Sequence, residues 1–161
     1  MAPDDVDISV DTIAGIPLYN GDDEGQHGIP EAVELLKSRI VETDGLIVST
    51  PEYNNAMPGV LKNAVDWLSR PPSDIRRVFH NLPLAVIGAT QGAFGTTLSQ
   101  VSWLPVWRLL GVNLFTTERL MVSAANNLFD DDGSIIDEGV EQRIHTFIEK
   151  FAVFVADHRR P

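Results

Sequence analysis

The chain has 161 residues, 43% of them hydrophobic, no cysteine and a formal net charge of −11. That length suits a single domain, residues 1–161, with a sizeable core. The lack of thiols excludes disulfides, thiolate metal sites and cysteine nucleophiles, and the acidic balance argues against nucleic acid and anionic lipid as partners. No apolar run of about 18 residues marks a membrane span, and the acidic start Met1-Ala2-Pro3-Asp4-Asp5 lacks the apolar core of a signal peptide.

Val6, Ile8 and Val10 alternate with Asp5, Asp7, Ser9 and Asp11, which predicts a half-exposed strand suited to a sheet edge. Ile16-Pro17-Leu18-Tyr19-Asn20 follows, then an acidic, glycine-rich stretch from Gly21 to Gly28 that reads as a mobile loop. Pro30 opens a helix with Val33, Leu36 and Ile40 inward and Glu34, Lys37 and Glu42 outward, ending near Thr43–Gly45. Gly45–Ser49 is an unbroken apolar run, as expected for a strand covered on both faces. The polar turn Thr50-Pro51-Glu52-Tyr53-Asn54-Asn55 then sits at its carboxyl end. Pro58 suits a first helical position. After it Val60, Leu61, Ala64, Val65 and Leu68 share one face of a helix, and Lys62, Asn63, Asp66 and Ser69 share the other.

Pro71-Pro72-Ser73-Asp74 ends that helix. Arg76 and Arg77 read as a solvated loop or as a contact to a dinucleotide phosphate or another subunit, and His80 reads as structural. Leu84–Gly88 is a second buried strand. The loop Ala89-Thr90-Gln91-Gly92-Ala93-Phe94-Gly95-Thr96-Thr97 follows, with glycines that permit close backbone approach to a flat ligand. Leu98–Leu110 is predicted helical and rich in Trp and Leu, with Pro105 kinking it or ending a first segment. A helix so apolar must be covered by the core or by another subunit. The last strand falls around Arg119–Ser123, Asp130–Gly133 is a turn without calcium-loop spacing, and Val140 to Val155 marks a closing amphipathic helix. Asp137 and Glu138 at its start and Arg159 and Arg160 at its end complement the macrodipole. Helix and strand alternate, which argues for parallel βαβ units, with ligands beyond the carboxyl ends of the strands.

The Pro51-Glu52-Tyr53-Asn54 loop and the Pro58-Gly59-Val60-Leu61-Lys62-Asn63-Ala64-Val65-Asp66-Trp67 helix resemble those of the NAD(P)H-dependent FMN reductases, a family that includes quinone, chromate and azo reductases. The likeness extends more weakly to about Phe154 and includes Ile16–Asn20. It implies an α/β flavodoxin-like three-layer sandwich with a parallel sheet, and an enzyme that binds FMN and NAD(P)H. Hydride would pass from the nicotinamide to the flavin and then to a quinone, free flavin or similar small acceptor. By this resemblance Pro51, Glu52, Tyr53, Asn54, Thr90, Gln91 and Gly92 flank the cofactor ring. The amides of Tyr53, Asn54, Gln91 and Gly92 meet its pyrimidine end, Pro51 rigidifies the turn, and Glu52 touches the cofactor or supports the loop or a subunit contact. No side chain stands out as a catalytic acid or base, and no metal site is read. The family is commonly dimeric or tetrameric, which implies a homo-oligomer, and a cytoplasmic location goes with it.

The family's opening strand and its Gly-Ser-Leu-Arg-type phosphate loop have no counterpart here. Three expectations follow: the reading frame begins upstream of Met1, another chain supplies a strand, or Val6–Val10 pairs directly beside Gly45–Ser49. The alternative to the flavoenzyme is a flavin-free interaction or remnant protein that keeps the fold without the redox site. Gly-x-Ser-x-Gly, His-Glu-x-x-His and a phosphate-loop Lys are absent, which sets hydrolase and nucleotidase readings aside.

Overall fold

Parallel pairing of the apolar runs sets the architecture. The computed structural model describes residue 3 and residues 5–160. Its elements follow in the order α1 (Gly21–His27), α2 (Glu31–Glu42), β1 (Leu46–Ser49), α3 (Gly59–Leu68), α4 (Asp74–Val78), β2 (Pro83–Ala89), α5 (Thr97–Leu110), β3 (Asn113–Leu114), β4 (Leu120–Val122) and α6 (Glu138–Asp157). The sheet is built around β2. On one side β1 pairs with it, Leu46 opposite Leu84 and Ser49 opposite Ile87. On the other side β3 lies beside Pro83–Leu84 and β4 beside Ile87–Ala89. Every pairing is parallel, and the β1–β2 and β2–β3 crossovers carry helices across a face. The expected α/β class, a parallel sheet between helical layers, is what the chain adopts.

The two faces are covered unequally. On one, Val33 and Ile40 of α2, Val65, Trp67 and Leu68 of α3, Val78 of α4, and Trp103 and Trp107 of α5 close over Leu84. On the other, α6 packs Val140, Phe147 and Phe151 against Ala85, Phe115, Leu120 and Val122. Phe115 sits 5.2–5.5 Å from the rings of Phe147, Phe151 and Phe154. Asp137 caps α6, its Oδ1 accepting from the Val140 amide at 2.8 Å.

Several expectations are corrected. Val6–Val10 is not a strand: Ile8 and Val10 are 48% and 87% exposed. Among the described residues no strand pairs with the outer edge of β1, so the alternating pattern has no ladder to join and the third of the pairing expectations fails. β1 is therefore an edge strand with half-buried residues, but both of its faces are covered as expected: Leu46 and Val48 pack against one core cluster and Ile47 against the other. The nearby Ile16–Asn20 segment is held instead by side chains of α3. The Pro17 carbonyl accepts from Asn63 Nδ2 at 2.8 Å and Trp67 Nε1 at 2.9 Å, and the Tyr19 amide donates to Asn63 Oδ1 at 2.8 Å. Gly21–Gly28 is mostly helix, because Asn20 caps it and Asp22, Asp23 and Glu24 fill its first turn. Val60 faces outward at 58% exposure, and Trp67 takes the inner face. α5 runs unbroken through Pro105. Arg160 does not serve its own helix: its guanidinium donates to the carbonyls of Ile40, Thr43 and Val78, capping α2 and α4.

Lys37 is the largest departure. It lies on the inner stripe with Val33 and Ile40 and is fully buried. A buried ammonium requires partners for its three donors, and it has them: Glu34 at 2.8 Å, Asp74 at 3.0 Å and the Arg70 carbonyl. Asp74 also accepts from Arg77 at 2.8 Å. The Arg77 hydrogen bond holds the Asp74 carboxyl below its ordinary value, burial opposes this, and Lys37 adds to the lowering. The stabilisation is therefore complete above the unfolded carboxyl value of about 3.9 and disappears as pH falls through the lower folded one. Asp74→Asn is expected to cost about 1–2 kcal/mol at pH 7 and to flatten the loss of urea resistance between pH 5 and pH 2. Equal acid slopes in the two proteins would show that this cluster carries no linked stability.

Candidate functional site

Because β1 and β2 are parallel and adjacent, the 50–55 and 90–96 loops leave the same end of the sheet. Pairing continues one residue past each strand. The Thr50 amide donates to the Ile87 carbonyl and the Thr90 amide to the Val122 carbonyl, both at 2.9 Å.

The first loop is a miniature hairpin. Tyr53 and Ala56 exchange both backbone hydrogen bonds, at 3.0 and 3.1 Å. Asn54 and Asn55 turn the corner at φ 50° and 63°, the left-handed pair that a two-residue type I′ turn demands and that Asn tolerates better than most residues. Tyr53 is left 55% exposed. The second loop is pinned to a third segment, Ala124–Asn127, just past the strand expected around Arg119–Ser123. The Ala124 and Ala125 amides donate to the carbonyls of Gly92 at 3.1 Å and Thr90 at 3.0 Å. Ala124 takes φ 51° to do so, and nothing in an alanine announces that conformation.

Below the loops lies a layer of small hydroxyl side chains. Thr50, Thr96 and Ser99 are buried, and Thr50 Oγ1 lies 3.3 Å from Ser99 Oγ. Gln100 Nε2 donates to Thr96 Oγ1 at 3.0 Å and to the Leu120 carbonyl at 3.2 Å. The Met57 amide donates to Ser102 Oγ at 2.9 Å. In sequence the small hydroxyl residues of the second loop read, with its glycines, as permitting close approach to a flat ligand. In the structure the buried hydroxyls also satisfy backbone and side-chain groups where the sheet meets α5.

The expected site residues are thus brought together, but their amides are not equivalent. The Tyr53 amide is used within the hairpin, and the Gly92 amide donates to Thr90 Oγ1 at 3.3 Å. Those of Asn54 and Gln91 take no hydrogen bond among the described residues. Glu52 does not face the gap between the loops as a free carboxylate: its Oε2 accepts from the amides of Leu98 at 2.8 Å and Ser99 at 2.9 Å. A flat ring with acceptors on its rim suits two unspent amides and a bare Gly92, where an added Cβ would have only Thr90 Oγ1 nearby, at 3.8 Å. The residues present therefore fit the ring of a flavin. Arg76 and Arg77 lie in α4, which enters β2 from its amino end, and Arg77 is paired with Asp74. That separates them from the two loops. Asp130 spends its carboxylate on its own turn, accepting from the Asp132 and Ser134 amides.

Gly88 fixes the distance between the loop bases. A Cβ there would stand 2.1 Å from the Thr50 carbonyl oxygen and 2.6 Å from Thr96 Oγ1. Neither backbone can retreat without losing the β1–β2 ladder. Gly88→Ala is expected to lower stability by about 1–3 kcal/mol, measured as a fall in the urea midpoint at constant slope. An unchanged midpoint would mean that the strands separate freely at this point.

Comparison with known proteins gives a consistent result. Residues 1–127 match the family model described as NADPH-dependent FMN reductase. A 2-hydroxy-1,4-benzoquinone reductase of Burkholderia sp is 36% identical over 159 residues, covering 99% of this chain and 85% of that protein. An NAD(P)H-dependent FMN reductase of Pseudomonas aeruginosa is 37% identical over 155 residues, covering 96% of this chain and 82% of the other. Among solved structures, the flavoenzyme NAD(P)H:(acceptor) oxidoreductase FerB of Paracoccus denitrificans superposes with a TM-score of 0.80 at 30% identity, over 92% of this chain and 79% of its own.

Proposed function

The chain belongs to the NADPH-dependent FMN reductase family, and from that premise we propose how its residues serve an NAD(P)H oxidoreductase that hands electrons through FMN to a quinone or similar small acceptor. The flavin, when bound, accepts the hydride and releases electrons to the acceptor. Everything else falls to the protein. The two loops at one end of the sheet hold the ring between them, with Pro51, Tyr53 and Asn54 on one side and Thr90, Gln91 and Gly92 on the other. The free amides of Asn54 and Gln91 donate to acceptors on the ring's rim and stabilise negative charge gathered there. Tyr53, exposed at the loop tip, offers an aromatic surface to the acceptor. No acid or base is assigned. The observation that carries this reading is the shared sheet end of the two loops, with unspent donors on both.

The protein mixed with FMN and freed of excess is expected to be yellow, with flavin absorption, and to oxidise NADH or NADPH when a benzoquinone is added. A preparation that stays colourless with FMN would favour the flavin-free alternative.

A homodimer or homotetramer in the cytoplasm completes the proposal. Its support is α5, whose inner side buries Trp103 and Trp107 while Leu98, Val101, Leu104 and Leu109 remain 44–82% exposed. An apolar stripe of that kind is usually covered, and a depression of about 650 Å³ runs along it beside Arg108. Leu109→Lys is expected to shift sedimentation toward the monomer. A wild-type protein that sediments as a monomer would refute the assembly.

A further inference from the structure

The loops that flank the proposed ring site are separate in sequence, yet a ring needs their spacing held to a fraction of an ångström. Backbone pairing fixes only their bases. Above the sheet, the direct tie between them is Glu52. Its single oxygen Oε2 accepts from the amides of both Leu98 and Ser99, at 2.8 and 2.9 Å, across 46 and 47 residues of chain. Those amides lie in the first turn of α5, where donors have no partner within the helix and a negative group is favoured. α5 begins directly after the second loop, so wherever its first turn is held, the 90–96 segment is held as well.

We propose that Glu52 is a positioning residue: its carboxylate clamps the head of α5 to the 51–55 hairpin and so sets the gap into which the ring fits. The inference rests on the flavin reading above. It also has a consequence for anions. With Glu52 seated there, the α5 amino terminus is closed to a phosphate group, so the cofactor's phosphate must be held elsewhere. Thr50 with Ser99 and Met57 with Ser102 add ties on either side of the clamp, which is why removing Glu52 alone is expected to leave the protein folded.

The geometry predicts an unusual order among substitutions. Both bonds end on one oxygen, so Glu52→Gln retains them through its amide oxygen. Glu52→Asp is one methylene short, and Glu52→Ala lacks the acceptor altogether. The test uses amide hydrogen exchange of the protein without added FMN, followed by FMN titration read by visible circular dichroism. Asn20→Ala, which removes the α1 cap, a hydrogen bond that involves no residue of either loop, controls for general loss of stability. Exchange is expected to rise in residues 90–99 in Glu52→Ala and Glu52→Asp and to stay near wild type in Glu52→Gln and Asn20→Ala. FMN affinity is expected to fall about 10-fold in Glu52→Ala with an altered flavin dichroism, and to recover in Glu52→Gln. Unchanged exchange in Glu52→Ala would overturn the clamp. So would changed exchange with unaltered FMN affinity, or a Gln variant as impaired as the Ala variant. If wild type takes up no FMN while the exchange difference persists, the flavin reading fails and Glu52 is a fold element without a positioning role.

Discussion

The bare α-carbon of Gly88 is what the site end of the molecule is built on. The Thr50 carbonyl and the Thr96 side chain both occupy space that any other residue would claim. Their closeness lets the Thr50 amide extend the β1–β2 ladder, buries a layer of hydroxyl groups with their hydrogen bonds satisfied, and brings the head of α5 within reach of Glu52. Move Thr50 outward by one ångström and the hairpin goes with it. A glycine in mid-strand normally weakens a sheet. Here the cost is accepted where two loops must converge.

The stabilising forces differ between the two ends of the sheet. At the amino end, around α4, charge dominates. Buried Lys37 is enclosed by Glu34, Asp74 and the Arg70 carbonyl, and Arg160 gathers carbonyls from α2 and α4. At the carboxyl end neutral hydroxyls and backbone groups join β1, β2 and α5, and the carboxylate of the 50–55 loop, Glu52, is engaged by helix amides. In sequence the 50–55 and 89–97 segments carry no charged side chain besides Glu52.

Much of this was legible in the residues. Unbroken apolar runs at 45–49 and 84–88 gave the paired strands, and their parallel order followed from the intervening helix. The polar, proline- and glycine-bearing segments after them read as loops at the carboxyl ends of those strands, and both leave the same end of the sheet. The failures have physical causes. Val6–Val10 has a strand's periodicity, but alternation expresses a face to bury and says nothing of whether a neighbour exists to complete the ladder. Lys37 reads as outward by residue type, and two of the three acceptors that draw it inward, Asp74 and the Arg70 carbonyl, come from other parts of the chain. Gly21–Gly28 looked like a loop by composition, while a single cap at Asn20 and a run of acids at the right end suffice to wind it. The Glu52 contact joins residues 46 and 47 positions apart, and no local pattern encodes it.

The distribution of aromatic residues divides the protein optically. All three tryptophans, Trp67, Trp103 and Trp107, lie in the core on the α3–α5 side, the last two stacked at 4.8 Å. The opposite side is filled by Phe115, Phe147, Phe151 and Phe154 and has no indole. Emission from this molecule therefore watches one half of its interior. If α6 were to peel away before the rest melted, a fluorescence trace would show a single clean transition while backbone dichroism recorded two, and agreement between those signals is the condition for treating the chain as one cooperative unit.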